Sequence, residues 1–159
     1  MSRKKVGIFG TEPVTGKIGG LGIPQLEIAR ALHRHYEIRL FTPYPVSSHD
    51  EPFPIVKINY EHSELMEASV RWADVLYCNN PGVVPLARKY NKPVAVDLLV
   101  HEYFEDLEHQ PVATMRPLER SVYFSDCILR LSQQLAMGDF FICPSERSRD
   151  YYLGILTLL

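Results

Sequence analysis

Short apolar runs alternate with helix-patterned segments along nearly the whole chain, and no other feature constrains the fold as much. Val6-Gly7-Ile8-Phe9-Gly10 is almost continuously apolar and reads as a strand buried on both faces. In residues 23–35, Ile23, Leu26, Ala29 and Leu32 recur at helical spacing, with Pro24 in the first turn. Residues 37–41 alternate as a strand does, and Pro43 and Pro45 end that strand. Residues 55–58 form a short strand, and Ser63 caps a helix to Trp72 with Leu65, Ala68, Ser69 and Trp72 on one side. Residues 75–78, 94–96 and 140–143 are strand-like, the last again buried, while residues 83–90 and 118–137 read as helices. Ser145 caps a final helix. This order predicts an α/β fold: a parallel sheet with helices on both faces.

The length of 159 residues suits one domain with a single sizeable core. A net charge of -2 gives no drive toward nucleic acid, so no nucleic-acid partner is expected. The basic start Arg3, Lys4 and Lys5 reads as a solvated terminus, which allows at most peripheral membrane contact. No apolar run reaches the ~18 residues of a membrane span, and no signal-peptide pattern is present. Cys78, Cys127 and Cys143 are odd in number and widely spaced, without a CxxC pair. They point to neither a disulfide framework nor a metal site, and a cytoplasmic location is expected.

In parallel sheets of this kind ligands bind at the carboxyl ends of the strands. Three segments fall there. The first is residues 11–22, with Gly16, Gly19, Gly20 and Gly22 ahead of a helix N-terminus. Such a loop lets backbone amides approach a phosphate, and Gly19 and Gly20 are the candidates, although a flexible loop without a ligand has the same composition. Neither a GxGxxG nor a P-loop can be drawn through these glycines, and Ile18 stands where the P-loop needs Ser or Thr.

The second segment, residues 97–109, is the densest cluster of titratable groups. Asp97 ends a strand and His101 follows on the loop, placed to hold or relay a proton on a hydroxyl. His101-Glu102-Tyr103-Phe104-Glu105 is HExxE, one letter from a zinc helix, but the second His and a third ligand are missing. No metal and no cofactor are expected, and Glu108 and His109 read as a solvated face. The third segment is the strand and capped helix around Ser145. Glu146 suits a helix first turn, whereas Arg147 and Arg149 there serve either an anion, an interdomain contact or a surface ion pair.

Together these segments resemble a known family. Gly19-Gly20-Leu21-Gly22 is similar to the glycine-rich loop of family-four retaining glycosyltransferases of the GT-B type. Asp97, Leu98, Glu105, Leu107 and Glu108 resemble a subset pattern running Asp-Leu-Tyr-Asp-Pro and then Glu-Asn-Leu-Glu, with Val100 and His101 replacing its second Asp and its Pro. Gly138-Asp139-Phe140-Phe141, Ser145-Glu146-Arg147, Arg149-Asp150 and Leu153-Gly154 resemble the family's Gly-Asp-Phe-Phe, Ser-Glu-Arg-Gln-Arg-Asp, Leu-Gly run. The resemblance implies that residues 1–159 are the single Rossmann-like, N-terminal, acceptor-side domain, with the C-terminal donor-binding domain absent. It implies sugar transfer from a nucleotide-diphosphate sugar to an acceptor hydroxyl once that domain is supplied, in cis or by a partner chain, and inactivity without it. Its site would comprise His101 at the acceptor, Gly19 and Gly20 at the donor phosphates, and Asp97, Glu102, Ser145 and Arg147 around the cleft. The alternatives are a non-catalytic binding or assembly module, one subunit of a split enzyme, and a small flavodoxin-shaped nucleotide-binding regulator.

Overall fold

The computed structural model describes residues 3–61, 63–99 and 110–159. Six strands, β1 (Lys5–Phe9), β2 (Glu37–Thr42), β3 (Ile55–Lys57), β4 (Val75–Cys78), β5 (Val94–Asp97) and β6 (Phe140–Ile142), form one sheet. The helices are α1 (Gly22–His33), α2 (Ser63–Trp72), α3 (Val83–Lys89), α4 (Gln110–Ala113), α5 (Pro117–Met137) and α6 (Glu146–Leu156). Strand order is β3-β2-β1-β4-β5-β6 and every pairing is parallel, so the chain forms a Rossmann-like α/β fold. Among the described residues no helix is long and apolar enough to cross a membrane.

The period-two alternation of strand side chains divides the core in two. Val6 and Ile8 of β1, Ile38 and Leu40 of β2 and Tyr77 of β4 pack with Leu26 and Ala29 of α1. On the other face Phe9, Phe41, Leu76, Cys78, Val94 and Val96 pack with Met66 and Val70 of α2, Val83 and Val84 of α3, Leu135 of α5 and Tyr152 of α6. Phe9 and Phe41 stack at 4.6 Å between ring centroids, where β1 and β2 lie in register. Among the described residues, α1 packs on the first face and α2, α3, α5 and α6 share the second.

Two sequence expectations change. β6 is not buried: Phe140 is 63% exposed and Ile142 36%, because the strand pairs only with β5 and forms the sheet edge. The inner face of α2 carries Met66, Ser69 and Val70, while Leu65 and Ala68 face solvent. Trp72 still contributes, edge-on to Phe41 and beneath the guanidinium of Arg39, 4.1 Å from the ring centroid.

Candidate ligand cleft at the carboxyl edge

The strand order reverses between β1 and β4, since the chain leaves β1 toward β2 on one side and later returns to build β4 on the other. Connections running in opposite directions diverge there and leave a crevice outside the strand ends. Thr11 and Asn79 occupy it, one residue beyond Gly10 and Cys78 respectively. Asn79 Nδ2 donates to Thr11 Oγ1 at 3.0 Å and ties the two strand ends together. Asn79 Oδ1 is buried with no hydrogen-bond partner among the described residues.

Asp97 ends β5 and is only 8% exposed. Its Oδ2 accepts a hydrogen bond from the Tyr77 hydroxyl at 2.6 Å. Burial raises the Asp97 pKa, while that bond and the Leu99 amide oppose the rise. Burial, followed by the hydrogen bond to the carboxylate, raises the Tyr77 hydroxyl, which therefore stays a donor. Below them Cys78 is pushed up to about 12 by burial, so it is a packed thiol rather than a nucleophile.

The glycine loop is folded on itself. The Gly19 amide donates to the Pro13 carbonyl and the Gly22 amide to the Gly19 carbonyl, both at 3.0 Å. The Thr42 hydroxyl secures the loop from β2 by donating to the Glu12 carbonyl at 2.9 Å. No side chain caps the N-terminus of α1; its Gly22 and Ile23 amides both donate to the Gly19 carbonyl, at 3.0 and 3.3 Å, and Pro24 has no amide hydrogen. The two candidate glycines differ in surroundings. A Cβ at Gly19 would lie 2.1 Å from Glu12 Oε2, whereas one at Gly20 would meet nothing within 4 Å. An anion at Gly19 therefore faces a carboxylate, and the open approach is at Gly20.

Beneath the loop Gln25 is fully buried, and neither amide atom has a partner among the described residues. Its side chain fills the space a Gly10 side chain would need: a Cβ there would lie 2.0 Å from Gln25 Oε1.

These elements frame a cleft of about 430 Å³. Thr11 and Leu21 from the two ends of the glycine loop, Asn79 and Asp97 border it on the sheet side. Leu131 of α5 and Tyr151, Tyr152 and Ile155 of α6 border it on the other. Ser145 lies apart, with Cys143 and Arg149 around a different pocket, and its hydroxyl caps α6 by accepting from the Ser148 amide at 3.1 Å. Arg147 is exposed and borders neither pocket, while Arg149 pairs with Glu146 and Asp150 at 3.4 and 3.1 Å. His101 and Glu102 lie outside the described residues. Of the sequence candidates, then, the structure brings Asp97 to the cleft together with the flanks of the glycine loop. Sequence reasoning missed Thr11, Asn79, Tyr77 and Gln25. Gln25 had a signal, because it falls in the helical stripe of Gly22, Leu26 and Ala29.

No protein-family model and no curated protein matches the chain. Among solved structures it is similar to a Rossmann-fold NAD(P)-binding family protein from Shigella flexneri, with a TM-score of 0.50 and 15% identity over 89% of this chain and 66% of that one. It is also similar to a short-chain dehydrogenase/reductase from Veillonella parvula in complex with NADP, with a TM-score of 0.51 and 12% identity over 89% and 68%. Uronate dehydrogenase from Agrobacterium tumefaciens gives a TM-score of 0.44 at 16% identity over 62% of this chain, which spans 42% of that protein's length. Identities this low establish the fold and nothing further.

Proposed function

We propose that the chain is the acceptor-side Rossmann-like domain of a family-four, GT-B type glycosyltransferase, which transfers a sugar from a nucleotide-diphosphate sugar to an acceptor hydroxyl. One observation carries this reading: the three segments on which the sequence resemblance rests all border a single cleft. Thr11 and Leu21 flank the glycine loop, Asp97 and Leu99 open the acidic segment, and Tyr151 and Tyr152 belong to the final run. A parallel sheet gathers its strand ends along one edge, and the cleft joins the three segments there. In this reading the domain holds the acceptor, and a second Rossmann-like domain supplies most of the nucleotide-sugar contacts. Gly20, with open space around it, approaches the donor phosphates, and His101 contacts the acceptor or the transferred sugar. Catalysis is then positioning plus electrostatic stabilisation of the leaving diphosphate.

The fold itself favours a second reading, a dinucleotide-binding domain, since the reversal between β1 and β4 is where such cofactors sit. Local chemistry speaks against it. Glu12 stands against Gly19, and β2 ends in the buried Thr42, where a ribose-binding domain carries an acidic residue. Calorimetric titration of the chain with NAD+, NADP+ and FAD separates the two. The glycosyltransferase reading expects no binding at millimolar cofactor, and micromolar binding of any of them overturns it. Sugar transfer by the chain alone, measured with a panel of nucleotide sugars, should be absent; robust transfer would overturn the division of labour between domains.

A further inference from the structure

The cleft has two walls of different chemistry. At the strand ends stand Thr11, Asn79 and Asp97. Opposite them Ile128 and Leu131 of α5 and Tyr151 and Ile155 of α6 present hydrocarbon and aromatic surface, which Leu158 extends. Ile128 is 51% exposed and Leu158 85%, so the apolar wall continues to the cleft mouth and into solvent. Ser132 and Gln134 are the polar side chains of α5 on that wall, and a ligand polar on every edge, such as a free sugar, would bury more hydroxyls there than those two can partner, which is unfavourable. A ligand apolar throughout would leave the strand-end groups desolvated and unpaired.

The polar wall also restricts the head group. Asn79 borders the cleft and is half-buried; its Oδ1 has no donor among the described residues and is itself covered, so a turn of the amide is what brings that acceptor to a ligand. The partner it lacks must carry a hydrogen to donate. Ionised phosphate and carboxylate accept only, so they could take the second Nδ2 hydrogen but would leave Oδ1 unpaired, and both would share the cleft with the Asp97 carboxyl. A hydroxyl donates, and it also accepts in turn from the Thr11 hydroxyl. The volume of about 430 Å³ falls within the ~300–1,000 Å³ of small-molecule sites.

We propose that the acceptor is an amphipathic alcohol. Its neutral hydroxyl-bearing head meets Asn79 and Thr11 at the reversal point, and its alkyl or aryl body lies along α5 and α6. This rests on the acceptor-side reading above and narrows it from any hydroxyl compound to one with a hydrocarbon portion.

The test uses the chain and four small probes, followed by calorimetry: octyl β-glucoside below its micelle concentration, methyl β-glucoside with the same head and no tail, sodium octanoate with the same tail and an anionic head, and NAD+. Octyl glucoside should bind at least about tenfold more tightly than either the methyl glucoside or octanoate. Ile128→Ser combined with Leu158→Ser changes two exposed positions, so the fold survives. This pair should abolish the preference for the tail and leave methyl glucoside affinity unchanged. Asn79→Ala, with its circular dichroism spectrum unchanged, should weaken both glucosides alike. Equal binding of the two glucosides, octanoate equal to or tighter than octyl glucoside, or no binding of any alkyl probe overturns the proposal while leaving the glycosyltransferase reading standing. NAD+ competing octyl glucoside out of the cleft overturns the glycosyltransferase reading itself.

Discussion

β1 and β6 read alike in sequence, Val-Gly-Ile-Phe and Phe-Phe-Ile, each an apolar run before a loop and a helix, yet they live in opposite environments. β1 pairs on both sides, and its Ile8 and Phe9 are fully buried. β6 pairs on one side and leaves Phe140 63% exposed. An apolar run states that a strand will form; its place in the sheet, which the run does not encode, decides how much of it leaves water. Parallel order is set by crossover connections far from the strand itself.

Substitutions test that contrast. Ile8→Ala removes a fully buried side chain from the α1 face and should cost about 2–5 kcal/mol, read from urea denaturation midpoints. Phe140→Ala deletes a larger side chain but should cost only about 0.5 kcal/mol. Comparable losses would mean that β6 is covered in solution. The same contrast holds between the two ends of the glycine loop. Gly10→Ala forces a Cβ into the Gln25 amide and should cost about 1–3 kcal/mol, whereas Gly20→Ala, with open space around it, should leave the midpoint unchanged. A tolerated Gly10→Ala would show that Gln25 moves aside freely.

A pH-dependent effect belongs to Asp97 in β5, the strand between the buried centre and the edge. Burial raises its pKa, so the folded state favours the protonated carboxyl. Its contribution to stability is therefore complete below the ordinary carboxylate range and is lost as pH rises through the folded value. Asp97→Asn keeps an acceptor for the Tyr77 hydroxyl and cannot ionise. Melting temperatures of variant and parent should coincide in acid, with the variant gaining toward neutral pH. The opposite trend would mean that Asp97 is held ionised by a partner.

Much of the architecture was legible because buried strands and amphipathic helices write their periods into the sequence. The strand at residues 37–41 and the helix at residues 118–137 fall within a residue of β2 and α5. The face of α2 is less legible, because the stripe through Leu65, Ala68, Ser69 and Trp72 also has helical spacing, while the packed stripe runs through Met66, Ser69 and Val70. The site was less legible. Asp97 and the glycine loop mark their places by following strands, and Asn79 does the same after Cys78 without any charge to single it out. Gln25 and Glu12 matter through what they touch, Gly10 and Gly19, and contacts of that kind depend on how α1 and its loop settle on the sheet.

The interlock of Gly10 and Gln25 ties two positions that substitution would otherwise explore separately. A lineage that acquires a side chain at position 10 must first shorten the one at position 25. One that shortens position 25 alone opens a void beneath the glycine loop. Among relatives of this chain the two positions should therefore change together, small at 10 with large at 25 or the reverse. The double variant Gly10→Ala with Gln25→Ala should be more stable than the sum of its single changes allows.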